Sequence, residues 1–293
     1  MPSLGIHVSK NSVLDKNRNT IIEAIAEDCA EYKLSACQIF VQGPQSSVMN
    51  KMDYNEIKEY CHINKIDLYV HSSYITVGIF SINDNNKNET KYIKSIKNLT
   101  DQLNVCDKLN AKGLVVHINK IKPDDLIKNL KIYAKKIYKY KTPLILEQPA
   151  KKADGELTYE TPEKINKITK LINDTFPKLN WGWCLDTCHL WSGGINLSNI
   201  TETTKWFADL DFPEKVKLFH INGGNNSIFG TGKDYHIIPF SSDDDIWGTD
   251  KNTIPIITKF IKKYKCDSIL EIKRGNQNDI NYAIKYIQEL IIN

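Results

Sequence analysis

Eight short apolar, β-branched runs constrain this chain more than any other feature of it. They fall at 4–8 (LGIHV), 36–41 (ACQIFV), 67–71 (DLYVH), 113–118 (GLVVHI), 143–148 (PLILEQ), 181–186 (WGWCLD), 215–221 (KVKLFHI) and 268–272 (SILEI). The stretches between them carry helical spacing. Ile22, Ile25, Ala26, Cys29 and Ala30 fall on one helix face, as do Ile96, Leu99, Leu103 and Cys106, and finally Ile280, Ala283, Ile284, Ile287 and Ile291. Near-continuous apolar strands alternating with amphipathic helices call for a parallel sheet, and eight such units predict an α/β chain closed into a single (β/α)8 TIM barrel. The length of 293 residues suits one such barrel, for which roughly 250 is usual, so 1–293 reads as one domain. A doubly wound open sheet is the competing architecture, but no GxGxxG follows the first strand. Two long polar loops, 76–90 and 222–252, both follow strands and so open on the face where barrels carry their chemistry.

Composition sets bounds without deciding function. With 41% hydrophobic and 25% charged residues the chain has material for a full core. Its net charge of +4, from 39 basic and 35 acidic residues, is compatible with a polyanionic partner without demanding one. The heavy use of Lys, Asn and Ile suggests an AT-rich coding genome. The seven cysteines (29, 37, 61, 106, 184, 188 and 266) form no CxxC pair and make a poor disulfide framework, which points to an intracellular, reducing compartment: cytoplasm or nucleus, a viral origin included. No signal peptide opens the sequence and no run is long enough to span a membrane, so no membrane partner is expected.

The chemistry-bearing residues sit at the ends of the apolar runs. His7, His71, His117 and His220 end four of them, and Glu147, Asp186 and Glu271 end three others. Any one of these has an ordinary reading: a lone histidine there is usually a hydrogen-bonded core residue, and a lone carboxylate is usually a helix cap or an ion-pair partner. Seven together are another matter, because the carboxyl ends of barrel strands face one mouth and Lys273 is the only obvious basic residue nearby. A carboxylate ending a run such as LILE costs several kcal/mol to desolvate unless it is paired or bound to a cation. His189 lies three residues past Asp186 in DTCH, and KDYH in the second long loop sets Asp234 and His236 two apart, able to point to one side of an extended segment. Imidazoles mixed with carboxylates suit zinc better than magnesium or calcium, and five histidines with four carboxylates suit about three ions sharing a bridging carboxylate. Such a cluster favours hydrolysis of a phosphoester.

The strings GIHVS, QIF, VHSSY, GLVVHIN, LILEQPA, CLDTCHLWSGG, FHIN, KDYH and ILEIK, in this order over nearly the whole chain, resemble the endonuclease IV family of zinc-dependent abasic-site (AP) endonucleases. The resemblance implies three Zn2+ per chain. His71, His117 and Glu147 would hold the first, with Glu147 bridging to a second held by Asp186, His220 and Glu271, and His189, Asp234 and His236 would hold the third. It also implies a hydrolase of base-excision DNA repair, with Glu147 and Glu271 central to catalysis and a zinc-activated water as nucleophile. The cut would fall 5′ to an abasic site in double-stranded DNA and leave a 3′-hydroxyl, with related trimming of blocked 3′ ends. Tyr74 and Ile75 fall where the family wedges side chains into the duplex, and Gln45 where one branch carries an Arg that fills the gap left by the lesion.

Gln45 stands where one branch of the family carries an Arg, Tyr235 where an Arg is common in the family, and PFSSDDDIWG lacks its usual Gly-Glu-Gly pattern. His7 has no metal role in the family and is left to a supporting or phosphate-facing one. His62 reads as a surface or packing residue, Cys184 and Cys188 as packing residues, and Trp181, Trp183 and Trp191 as wall or core. The rival functions are a metal-dependent sugar isomerase or epimerase on the same barrel, and a non-catalytic lesion-binding protein. One complete barrel needs no second copy, so a monomer is expected.

Overall fold

The computed structural model describes residues 1–10, 18–75, 89–118, 122–150, 152–153, 156–157, 159–271 and 276–292. Each apolar run becomes a strand: β1 (Leu4–Val8), β2 (Ala36–Phe40), β3 (Asp67–His71), β4 (Gly113–His117), β5 (Leu144–Glu147), β6 (Trp181–Asp186), β7 (Val216–His220) and β8 (Asp267–Leu270). Every strand pairs in parallel with its sequence neighbours, and β8 pairs with β1, so the sheet closes as a (β/α)8 TIM barrel. Lys273, the one basic residue noted beside a strand end, and 76–88 of the first long loop lie outside the described residues. A two-stranded antiparallel pair, Lys152–Ala153 with Glu156–Leu157, was not expected from the sequence; strands of two residues are too short to show a periodic pattern.

The pleat decides what faces the barrel interior, because alternate side chains point to opposite faces. Ala36, Tyr69, Val115, Ile145, Cys184, Leu218 and Ile269, one from each of seven strands, form an apolar cluster of their own. Two residues further along each of these strands stand Gln38, His71, His117, Glu147, Asp186, His220 and Glu271. The barrel is thus filled by hydrocarbon and then, one pleat higher, opens into a polar mouth. On β1 the corresponding pair is Gly5 and His7, and glycine is required at the lower position: a Cβ there would lie 2.2 Å from the Ala36 carbonyl oxygen.

Helices wrap the outside: α1 (Ile21–Tyr32), α2 (Tyr54–Ile63), α3 (Glu89–Leu109), α4 (Pro123–Ile137), α5 (Pro162–Thr175), α6 (Thr187–Ser192), α7 (Ile200–Ala208), α8 (Ile254–Tyr264) and α9 (Gln277–Ile292). The apolar faces expected for α3 and α9 are buried as read. The face of α1 is not. Its buried residues are Ile21, Ala24, Ile25, Asp28, Cys29 and Tyr32, while Ala30 is exposed and Ile22 and Ala26 are half-buried. The rotation has a definite cause, since Asp28 enters the core in an ion pair with Arg18, both side chains being 2% exposed. A count of apolar residues assigns such a carboxylate to solvent. Arg18 also donates to Glu27 at 2.9 Å, which is half in solvent and a weaker partner. Asp28→Ala is therefore expected to lower stability by about 3 kcal/mol, the low end for stranding one member of a buried ion pair, read as the midpoint of urea unfolding. A loss below about 1 kcal/mol would assign the pair no structural weight.

Candidate metal centre

β6 and α6 supply the middle of the mouth. Asp186 ends the strand and caps the helix: its Oδ1 accepts from the backbone N–H of His189 at 3.0 Å, which fixes His189 three residues on. The ordinary reading of this carboxylate as a helix cap is therefore correct for one oxygen. The other, Oδ2, accepts from Asn222 Nδ2 at 2.7 Å and faces His236 Nε2 at 3.6 Å and His220 Nδ1 at 3.7 Å. The second long loop delivers Asp234 and His236. Gly223 bridges to Ile237, and buried Asp245 accepts from the backbone N–H groups of Gly224, Phe240 and Ile246, which folds the segment back over the mouth.

Glu147 is the hub. Fully buried, it lies 3.0 Å from His117 Nε2, 3.2 Å from His220 Nδ1, 3.4 Å from His71 Nε2 and 3.6 Å from His189 Nδ1. The nine candidate ligands fall into groups whose donor atoms lie within 4.8 Å of one another: His71, His117 and Glu147; Glu147, Asp186, His220 and Glu271; and His189, Asp234 and His236. Asp186, Cys188 and His236 form a fourth such group. Cys188, however, directs its thiol to the Tyr235 carbonyl oxygen at 3.4 Å, and burial pushes that thiol upward, so it behaves as a packing residue. Cys184 sits in the apolar cluster beneath the mouth, and Trp181, Trp183 and Trp191 are buried in the outer core. His62 is exposed on α2.

The protonation pattern follows from four carboxylates crowded among imidazoles. Burial works against the charged form of His189, but Asp186, Asp234 and Glu147 outweigh it and push His189 up to about 10. His220 and His236 are driven upward in the same way against their own burial, Glu271 and Glu147 acting on the first and Asp186, Asp234 and Glu271 on the second. Glu147 is held well below the carboxylate range by His117 and His220 despite its burial. Glu271, whose desolvation works against its charged form, faces His220, His71 and His236 and falls to about 2 although Glu147 opposes the shift. A site with this balance demands positive charge. Its donors fit a metal, because Glu147 Oε2, His189 Nε2 and His236 Nε2 are buried with no hydrogen bond of acceptable geometry. Three of the imidazoles also have their second nitrogen engaged from outside: His71 Nδ1 with Ser72 O at 2.9 Å, His189 Nδ1 with Gln148 O at 2.8 Å, and His220 Nε2 with Gln38 Oε1 at 3.0 Å.

A cavity of about 270 Å³ opens onto this cluster, lined by His7, Phe40, Tyr74, His117, Asp234, His236 and Glu271. His7 accepts from Gln38 Nε2 at Nδ1 (3.1 Å), packs 4.7 Å from the Phe40 ring and is kept neutral by burial, its pKa lowered to about 4. Tyr74 is 44% exposed with its ring 5.2 Å from that of His117, and Ile75 stands beside it on the rim, 38% exposed. Gln45 is exposed on the loop after β2, which is tied to this rim by the Tyr74 N–H donating to Pro44 O at 2.8 Å and by Ser73 Oγ donating to Ser46 O at 2.8 Å. Tyr235 points outward, 53% exposed. The sequence reading missed Gln38, which occupies the middle of the second apolar run, and Asn222, whose Oδ1 accepts from the Glu271 N–H at 3.0 Å. Pleat register gives the signal for Gln38, which lies two residues past an inward alanine, whereas Asn222 falls beyond the end of its strand.

Residues 26–245 match the family described as xylose isomerase-like TIM barrel, and the chain belongs to that family. The endonuclease IV resemblance of its strings is borne out by its relatives. It is 26% identical over 266 residues to a probable AP endonuclease of African swine fever virus, covering 86% of this chain and 84% of that one. Among solved structures it superposes on AsfvAP:AG with a TM-score of 0.83 at 22% identity, over 99% of both chains. Endonuclease IV from Thermus thermophilus gives a TM-score of 0.67 at 18% identity, again over 99% of both. Among the described residues, no helix is long and apolar enough to cross a membrane.

Proposed function

We propose that this chain is a zinc-dependent AP endonuclease of base-excision repair, hydrolysing the phosphodiester 5′ to an abasic nucleotide to leave a 3′-hydroxyl and trimming blocked 3′ ends. The observation that carries this reading is the convergence of five imidazoles and four carboxylates from separate strands and loops on one mouth, in overlapping groups. His71, His117 and Glu147 would hold one ion, Asp186, His220 and Glu271 with Glu147 a second, and His189, Asp234 and His236 a third. Zinc bound there would offset charge on the reacting phosphate and lower the pKa of the attacking water toward 7. Glu147 and Glu271 are the carboxylates on which catalysis turns, the first because two groups share it and the second because it borders the cavity.

The remaining side chains shape the approach of DNA. Phe40, Tyr74 and His7 wall the cavity that opens onto the cluster. Tyr74 and Ile75 offer apolar surface on the rim and would wedge into a duplex, with Gln45 on the adjoining loop. Tyr74→Ala is expected to lower cleavage efficiency on an abasic duplex about tenfold while sparing trimming at a 3′-blocked nick, since removing one base-stacking contact costs roughly 1–3 kcal/mol. Equal losses on both substrates would contradict the wedge.

Residues 1–293 are read as one domain acting as a monomer, and the seven buried free thiols suit a reducing, intracellular compartment. The test is incubation of the purified protein with a duplex carrying one abasic analogue, with and without a strong chelator. Nicking 5′ to the lesion that the chelator abolishes supports the proposal, and binding should weaken with salt as phosphate contacts release counterions. Epimerisation of a sugar without nicking would favour the isomerase reading of the same barrel, and binding without nicking a non-catalytic role.

A further inference from the structure

We propose that Gln38 is a positioning residue of the metal centre, its amide fixing the His220 imidazole with the proton on Nε2 and Nδ1 turned to the carboxylates while it holds Glu271. The inference rests on the metal reading above and goes beyond it to a residue that offers no ligand atom. Gln38 is fully buried in β2, and both polar atoms of its side chain are engaged inside the mouth. Its Nε2 lies 3.0 Å from Glu271 Oε1 and 3.1 Å from His7 Nδ1, and its Oε1 lies 3.0 Å from His220 Nε2.

The orientation of the amide is settled by chemistry. Reversed, it would set a carbonyl oxygen against the Glu271 carboxylate, acceptor against acceptor, so the NH2 faces Glu271 and His7. The oxygen then faces His220 and can only accept, which requires a proton on His220 Nε2. His220 Nδ1 stands 3.2 Å from Glu147 Oε1, 3.4 Å from Glu271 Oε2 and 3.7 Å from Asp186 Oδ2. Among three carboxylate oxygens this nitrogen either carries a second proton or turns its lone pair to a shared cation. His71 and His189 show the opposite arrangement, each engaging a backbone carbonyl through Nδ1 and leaving Nε2 inward. Of these three, only His220 takes its outer partner from a side chain, and one amide therefore orients both an imidazole on β7 and the carboxylate that follows β8.

Gln38→Leu keeps the volume and removes every polar contact. In a chelator-competition titration with Zn2+ or Co2+, the variant is expected to bind the ion shared by His220 and Glu271 about 10- to 100-fold more weakly, with an altered Co2+ absorption spectrum and unchanged circular dichroism. Long-range 1H–15N spectra of the zinc-loaded wild type supply a second reading that needs no variant, so it decides the matter should the leucine protein fail to fold. They should show His220 ligated through Nδ1 and protonated at Nε2, with the reverse at His71 and His189. A folded Gln38→Leu protein with wild-type affinity and spectrum, or a His220 protonated at Nδ1, would overturn the inference while leaving the metal centre intact. A wild-type protein that takes up no divalent ion in the same titration would overturn the metal reading itself.

Discussion

Glutamine at position 147 is expected to abolish cleavage of an abasic duplex while leaving the barrel folded. Glu147 has no exposure and lies within 3.6 Å of four imidazole nitrogens. An amide of the same shape removes the charge and turns a donor toward whatever occupies the cluster. Stranding buried partners in this way costs roughly 3–5 kcal/mol, which corresponds to a loss of about two to four orders of magnitude in rate if it falls on the reacting state. Glu271→Gln should act in the same direction and less severely, because its side chain is 15% exposed and water can solvate part of the change. Initial rates on one abasic substrate, with circular dichroism as the fold control, check both. Undiminished cutting by the Glu147 variant would remove this residue from the chemistry.

Exhaustive chelation is the second large effect. Without bound ions the mouth would hold Glu147, Asp186 and Glu271 within reach of one another, and Asp234 beside His189 and His236, with only protons on imidazoles to balance their charge. An ion present at a thousand times its dissociation constant adds about 4 kcal/mol to folding stability, so its removal should lower the unfolding temperature by several degrees as well as stop cleavage. Zinc should restore both properties and magnesium neither, because five of the nine donors are imidazole nitrogens. Melting curves recorded beside activity assays give the answer. A chelated protein that melts and cuts like the untreated one would contradict the proposed dependence on metal.

The barrel was legible because a strand buried on both faces has to be a continuous apolar run, and each of the eight runs from LGIHV to SILEI became a strand. The strand-end histidines and carboxylates stood out for the same reason, as polar residues where hydrocarbon was expected. Asp28 was not legible: its burial depends on Arg18, ten residues away, and periodicity cannot register a partner. Gln38 escaped because it interrupts ACQIFV in the middle instead of ending it. Only the register of β2 against β1 and β3 shows that it faces inward beside His7. Asn222 falls beyond the end of its strand, and the turn that returns it to Asp186 and Glu271 is a tertiary feature with no local signature.

The most direct test of the whole account is metal analysis of protein purified without chelators. Three zinc ions per chain, falling to two or fewer when His236 or Asp234 is replaced by alanine, is the predicted result. A single manganese or magnesium ion per chain, indifferent to those two replacements, would contradict it.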